Sequence, residues 1–134
     1  MSVVRLEHIY KDYLLGDQKV QALKDITLSF DPGVFLAIAG PSGSGKTTLL
    51  NLIGGLDTPT SGGVSIDGVD IASLPDEQLT TLRRRRLGFV FQFFNLIPVL
   101  NATENAALPL TLDGASDAAA RAEQWLRRVG LGDR

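Results

Sequence analysis

The sequence predicts an α/β chain, from a buried strand, a glycine-rich turn and a helix that follow one another without a break. Val34-Phe35-Leu36-Ala37-Ile38-Ala39 is continuously apolar, the pattern of a strand covered on both faces in a parallel sheet. It runs into the turn Gly40 to Gly45, and Lys46 to Ile53 then has helical patterning with a stop at Gly54-Gly55. Alternating segments on either side of this unit read as antiparallel strands joined by Pro-Gly and Asp-Gly turns. A length of 134 residues suits one domain, and 44% hydrophobic with 21% charged residues is enough to bury a core.

In chain order, Val3 to Ile9 alternates loosely, as a half-exposed strand does. A polar stretch with Gly16 and Asp17 leads to Val20–Leu23, and Ile26 to Phe30 alternates cleanly before the turn Asp31-Pro32-Gly33. After Asp57 to Gly63, a loop, Val64–Ile66 and Val69–Ile71 form a hairpin around Asp67-Gly68. Ser73 with Asp76 fits a capping box for a helix that tolerates Pro75, shows Leu79 and Leu82 as its apolar stripe and ends at Arg83–Arg86. Leu87 to Phe91 reads as another short buried strand. The apolar stretch Phe93 to Val99 is irregular, broken by Asn95 and Pro98. A helix is expected from Thr103 to Leu110, capped by Asn101 and Glu104, and a second from Ser116 to Val129, closed by Gly130. The second carries Ala118, Ala122, Trp125, Leu126 and Val129 on one face, which places Trp125 in the core.

Composition excludes several chemistries. With 13 Lys and Arg against 15 Asp and Glu, nothing electrostatic favours a nucleic-acid partner. The run Arg83–Arg86 reads instead as a solvated face, favourable to a helix C-terminus. The absence of cysteine rules out disulfides, thiol catalysis and cysteine-based zinc sites, and the single histidine, His8, rules out a histidine cluster and is read as structural. The N-terminus lacks the features of a signal peptide, and no run of apolar residues is long enough to cross a bilayer. A soluble, cytoplasmic chain is expected, with any membrane role exercised through a partner.

The most specific motif is Gly40-Pro41-Ser42-Gly43-Ser44-Gly45-Lys46-Thr47, which matches the Walker A pattern. Each part has a chemical reason. Gly43 and Gly45 let backbone N–H groups turn inward and approach phosphate oxygens closely. Lys46 brings a positive charge to the β- and γ-phosphates, the Thr47 hydroxyl suits Mg²⁺, and the Thr48 hydroxyl falls near the α-phosphate. The helix that follows adds its partial positive end. A chance match is a poor alternative, because the motif lies between an apolar strand and a helix. Nucleoside-triphosphate binding follows from the residues themselves.

The surrounding residues narrow the class. Gly40 through Asp57, Pro59-Thr60-Ser61-Gly62, the Asp67-Gly68 hairpin and Arg84 through Pro98 together resemble the ATP-binding cassette family, in its lipoprotein-releasing and macrolide-exporting type. The resemblance spans nearly all of the chain. It implies a P-loop NTPase (RecA-like) core in residues 34–61 and 73–92, an antiparallel β-layer in 1–33 and 62–72, and the Q-loop with the start of a helical subdomain in 93–134. The chain then corresponds to the front part of one ATP-binding domain, an incomplete fold. One departure is Val34 after Gly33, where the family commonly has glutamate.

Residue by residue, the resemblance implies that Tyr13 stacks on adenine, with Tyr10 as the rival for that role. Pro41, Ser42 and Ser44 complete the phosphate site with Gly40, Gly43, Gly45, Lys46, Thr47 and Thr48. Gln92 resembles the Q-loop glutamine, which reaches Mg²⁺ or the attacking water, so Lys46 and Gln92 are the catalytic candidates and Thr47 and Gln92 the metal candidates. ATP and Mg²⁺ are the implied ligands. Phe93–Val99 is either the surface that meets a transmembrane permease subunit or local core beneath the helical subdomain.

The family also needs a Walker B aspartate, an adjacent glutamate, a Leu-Ser-Gly-Gly-Gln-type signature that caps ATP in a dimer with a second ATP-binding subunit, and a switch histidine. None occurs in these residues, and the one Ser-Gly-Gly, Ser61-Gly62-Gly63, stands too early. Two expectations follow: the 134 residues alone turn over no ATP, and Val34–Ala39 and Leu87–Phe91 present an exposed edge or face. The leading reading is an ATP-binding subunit that drives export or extraction from the inner face of the cell membrane through the permease. The alternative is a non-catalytic nucleotide-binding or interaction module that ends naturally at Arg134. A small-molecule kinase or GTPase would need an acceptor lid or an Asn-Lys-x-Asp run, and neither is present.

Overall fold

The computed structural model describes residues 2–133. The chain divides into two compact units, Met1–Leu87 and Gly88–Arg134.

The first unit is built on a four-stranded antiparallel sheet in the order β2-β1-β3-β4. β1 (Val4–Leu15) and β2 (Gln18–Phe30) form a long hairpin that turns at Gly16 with φ 62°. The polar stretch before Gly16 is therefore strand, because β2 supplies ladder partners as far as the Leu15–Gln18 pair. β3 (Ser61–Ile66) pairs with the other edge of β1 and turns back into β4 (Val69–Asp70). Asp67 and Gly68 have φ 50° and 79°, the signs an Asp-Gly hairpin turn requires, so the expected hairpin forms. Both ladders of β1 shift register around His8, whose backbone (φ 48°) forms a bulge facing Asp25 (φ 49°). The His8 Nδ1 pairs with the Asp25 carboxylate at 2.8 Å, consistent with a structural histidine.

Helix α1 (Lys46–Ile53) lays Leu49 and Leu52 against the sheet, where they meet Leu6, Ile9, Val64 and Ile66. Leu6, Ile9 and Leu52 are fully buried. A 3₁₀ turn at Ile71–Ser73 leads to α2 (Asp76–Arg86), which sends Leu79 and Leu82 to the edge of this core. The expected Ser73–Asp76 capping box does not form. The Ser73 hydroxyl donates to the Asp70 carbonyl at 2.7 Å, and α2 starts after Pro75 with no side-chain cap. The 3₁₀ turn, capped by Asp70, has taken the serine. In the last turn of α2, Arg83 donates to the Gly55 carbonyl at 2.9 Å and Arg86 lies 3.9 Å from Asp67, so part of the arginine run ties the helix to the sheet region.

The second unit contains two helices packed on each other, α3 (Ala102–Leu112) and α4 (Ala118–Arg128). The Asn101–Glu104 capping box is present in both directions, at 2.9 and 2.8 Å. Asn105 adds an anchor: its side chain bonds Ile97 N–H and the carbonyls of Ile97, Leu100 and Asn101, which holds the incoming chain to α3. The helices meet through Ala107, Ala118 and Ala122. Trp125 is not core: it is 58% exposed, with the Arg128 guanidinium 4.7 Å from its ring centre. Small alanines form the seam here, and an indole has no room in it.

Two further expectations need correction. Val34–Ala39 and Leu87–Phe91 form no strands, and Phe35 and Val90 are almost wholly exposed. Their apolar sequence suits a buried strand, but among the described residues no neighbouring strand offers them a ladder. This agrees with the expectation of an uncovered edge or face. Phe93 to Val99 is exposed as well, so among the described residues nothing covers it as local core.

Candidate phosphate and base site

The phosphate loop lies between Ala39 and α1. Gly45 is the N-cap of α1 with φ 86°, a left-handed backbone that strains any other residue. A Cβ at Gly45 would also lie 2.6 Å from the Ala22 carbonyl oxygen and 2.9 Å from Leu23 Cδ2. The loop thus rests directly on β2, a contact that local sequence does not reveal. No side chain caps α1, so its first N–H groups, those following Gly45, stay available to an anion. Lys46 Nζ donates to the carbonyls of Gly40 and Pro41 at 3.0 and 2.7 Å and to Ser44 Oγ at 3.4 Å, which holds the ammonium over the loop. Pro41, Ser42, Gly43 and Thr47 are exposed and Thr48 is half-buried. An uncapped helix end, a lysine folded over the loop and a glycine where a Cβ cannot stand fit a bound phosphate chain.

Tyr13 belongs to the same unit. The β1–β2 ladder pairs it with Val20, two residues before Ala22, against which Gly45 packs. Its hydroxyl donates to Asp57 Oδ2 at 2.8 Å, and Lys11 Nζ stands 4.9 Å from its ring centre. Lys11 is buried and donates to Asp57 Oδ1 at 2.6 Å and to the Thr58 carbonyl at 2.8 Å. The Thr58 N–H donates to the same Oδ1 at 2.7 Å. Burial pushes the Asp57 carboxyl up, but hydrogen bonds from Lys11, Tyr13 and Thr58 outweigh it and hold the group below the usual aspartate value. Lys11 and Asp57 were not singled out by motif. The available signal was the segment Leu56-Asp57 ahead of Pro59-Thr60-Ser61-Gly62, which carried resemblance without a role.

Tyr10, the rival aromatic, pairs with Ser61 through its backbone and takes no part in this network. Gln92 and Phe93–Val99 lie in the second unit, and Gln92 is exposed. The site residues that share one unit are therefore Tyr13 and Gly40 to Thr48. Among the described residues no cluster of His, Cys, Asp and Glu could hold a metal by itself, so a cation here needs the phosphates as co-ligands. No helix of the described residues is long and apolar enough to cross a membrane.

The loop sequence and the helix that begins uncapped behind it are those of a P-loop protein. Comparison with known proteins narrows this: the sequence model of the family described as ABC transporter matches residues 23–134, and the chain belongs to that family. It is 48% identical over 134 residues to the lipoprotein-releasing system ATP-binding protein LolD of Alcanivorax borkumensis, covering 98% of this chain and 59% of the relative. It is 45% identical over 137 residues to the macrolide export ATP-binding/permease protein MacB of Syntrophobacter fumaroxidans, covering 99% of this chain and 19% of that protein. Among solved structures, the dimeric post-hydrolysis state of the ATP-binding cassette MJ0796 bound to ADP and Pi matches at TM-score 0.86 and 45% identity, over 92% of this chain and 56% of that one. The chain spans less than two thirds of each of these relatives.

Proposed function

We propose that the chain is the ATP-gripping part of an ABC transporter subunit, in which ATP binding and hydrolysis drive export or extraction through a transmembrane partner. The observation that carries this reading is the phosphate loop: α1 begins uncapped at Gly45 with Lys46 folded over the loop carbonyls. Lys46 supplies a fixed positive charge toward the β- and γ-phosphates, where charge builds up during transfer. The Thr47 hydroxyl is the side-chain ligand for Mg²⁺, and Tyr13 offers a π-face to adenine. Gln92 acts as the Q-loop amide, toward Mg²⁺ or water. Mg²⁺, when bound, supplies neutralising charge between the phosphate oxygens.

The division into β-layer, P-loop core and helical start follows the resemblance, which puts the last boundary between residues 92 and 93; the compact units divide earlier, between Leu87 and Gly88. The exposed stretch Phe93–Val99 is the proposed seat of the permease, because a cluster of large apolar side chains is costly to leave in water. A second ATP-binding subunit closes over the nucleotide, a reading supported by the dimeric cassette among the similar structures. The subunit works on the cytoplasmic side of the membrane, held there by its permease.

Calorimetric titration of the full-length product of the reading frame with Mg-ATP tests the core of this reading. Lys46→Ala is expected to weaken binding about 10- to 100-fold, the scale of a lost charged hydrogen bond. An unchanged Kd sinks it. The 134 residues alone, lacking Walker B and signature residues, are expected to show no ATPase above background. Steady turnover by these 134 residues, abolished by Lys46→Ala, would overturn this.

A further inference from the structure

We propose that Asp57 and Lys11 are positioning residues that hold Tyr13 as a preset, one-faced platform for the adenine base. This rests on the reading of Tyr13 as the base-stacking residue and adds what makes it competent.

The network leaves little slack. Each Asp57 oxygen is engaged: Oδ1 accepts from Lys11 Nζ and the Thr58 N–H, and Oδ2 accepts from the Tyr13 hydroxyl. Lys11 covers one ring face at 4.9 Å, so a flat ligand is directed to the opposite face. The backbone of Tyr13 is fixed by its pairing with Val20. Ring tip, ring face and backbone are therefore held by three separate groups: Asp57, Lys11 of the same strand, and Val20 of β2.

Asp57 is also joined to the phosphate loop through the helix between them. The Asp57 N–H donates to the Asn51 carbonyl of α1, and α1 begins at Lys46 in the loop. The carboxylate thereby ties the base platform to the element that grips phosphate, and sets the distance between the two. A half-exposed tyrosine without such ties would have to be ordered when the nucleotide binds, at the expense of affinity. The short Lys11–Asp57 contact at 2.6 Å has this use, beyond stabilising a buried charge.

The expected consequence is specific to the base. Inorganic tripolyphosphate engages the loop and makes no use of Tyr13, so the ratio of its affinity to that of Mg-ATP isolates the platform. In the full-length product, Asp57→Asn is expected to weaken Mg-ATP about three- to tenfold while tripolyphosphate changes by less than about twofold. Tyr13→Phe, which keeps the ring and removes the phenol donor, is expected to match it, and the double variant to be no weaker than either single one. A tyrosine difference absorbance spectrum between wild type and Asp57→Asn provides a readout independent of binding. Unchanged Mg-ATP affinity in both single variants overturns the proposal, as does equal weakening of both ligands, which would mark a purely structural role. If Asp57→Asn does not fold, Tyr13→Phe decides by the same ratio. If Tyr13→Ala binds Mg-ATP like wild type, the stacking reading itself fails. If Tyr13→Ala weakens it and Tyr13→Phe does not, stacking stands and only the positioning by Asp57 is refuted.

Discussion

Leu6 and Ile9 of β1 are wholly buried, whereas Val34, Phe35 and Leu36 are each more than half exposed, although the second segment is the more apolar in sequence. Residues of β1 have strand partners on both sides, Phe30 to Gln18 along one edge and Ile66 to Ser61 along the other. Among the described residues Val34–Ala39 has none. Burying a strand removes its peptide groups from water as well as its side chains, and the peptide groups must be paired. Apolarity alone therefore does not bury a segment; a ladder must accompany it.

Substitutions can break or sharpen this contrast. Ile9→Ala or Leu52→Ala is expected to cost about 2–5 kcal/mol, because each deletes fully packed methyl groups and leaves a cavity. Denaturant unfolding measures it, and a loss below about 1 kcal/mol would contradict the packing described. Gly45→Ala comes next, at about 1–3 kcal/mol, from a positive φ and the approach of Ala22, and phosphate affinity is expected to fall with it. In the second unit Asn101→Ala removes the α3 cap at about 1 kcal/mol, read as a lower melting temperature. Phe35→Ser is expected to change stability by less than about 0.5 kcal/mol in the same unfolding measurement, because its side chain is almost wholly exposed.

The smallest effect concerns pH. The Asp57 carboxyl is held below its ordinary value in the folded chain, so its contribution to stability is present above the unfolded aspartate value and is lost as pH falls through the folded one. Asp57→Asn should therefore flatten the acid limb of the stability profile, and an acid limb of unchanged steepness would contradict the network around this carboxylate.

Much of the fold was legible because local chemistry decides it. The Asp67-Gly68 turn, the Gly54-Gly55 stop of α1 and the Asn101–Glu104 box each involve groups a few residues apart. The glycine-rich loop ahead of α1 was legible for the same reason, since its glycines, lysine and threonine are consecutive. The Ser73–Asp76 box failed although equally local, because Ser73 closes the 3₁₀ turn, its hydroxyl donating to the Asp70 carbonyl, and α2 begins only after Pro75. Trp125 failed because periodicity marks a helix face without saying how much of it a partner covers. Lys11 and Asp57 are 46 residues apart, and no pattern in either neighbourhood announces their pairing.

The sequence by itself determined the phosphate loop, the helix behind it, the turns that shape the β-layer and the family, because these rest on contiguous residues with fixed conformational demands. Only the tertiary structure decided which apolar segments are covered, that Gly45 rests on β2, and that Asp57 joins Lys11 and Tyr13. Those outcomes depend on long-range ladders and on ion pairs formed only after the chain has closed on itself, and a linear pattern does not encode distance in space.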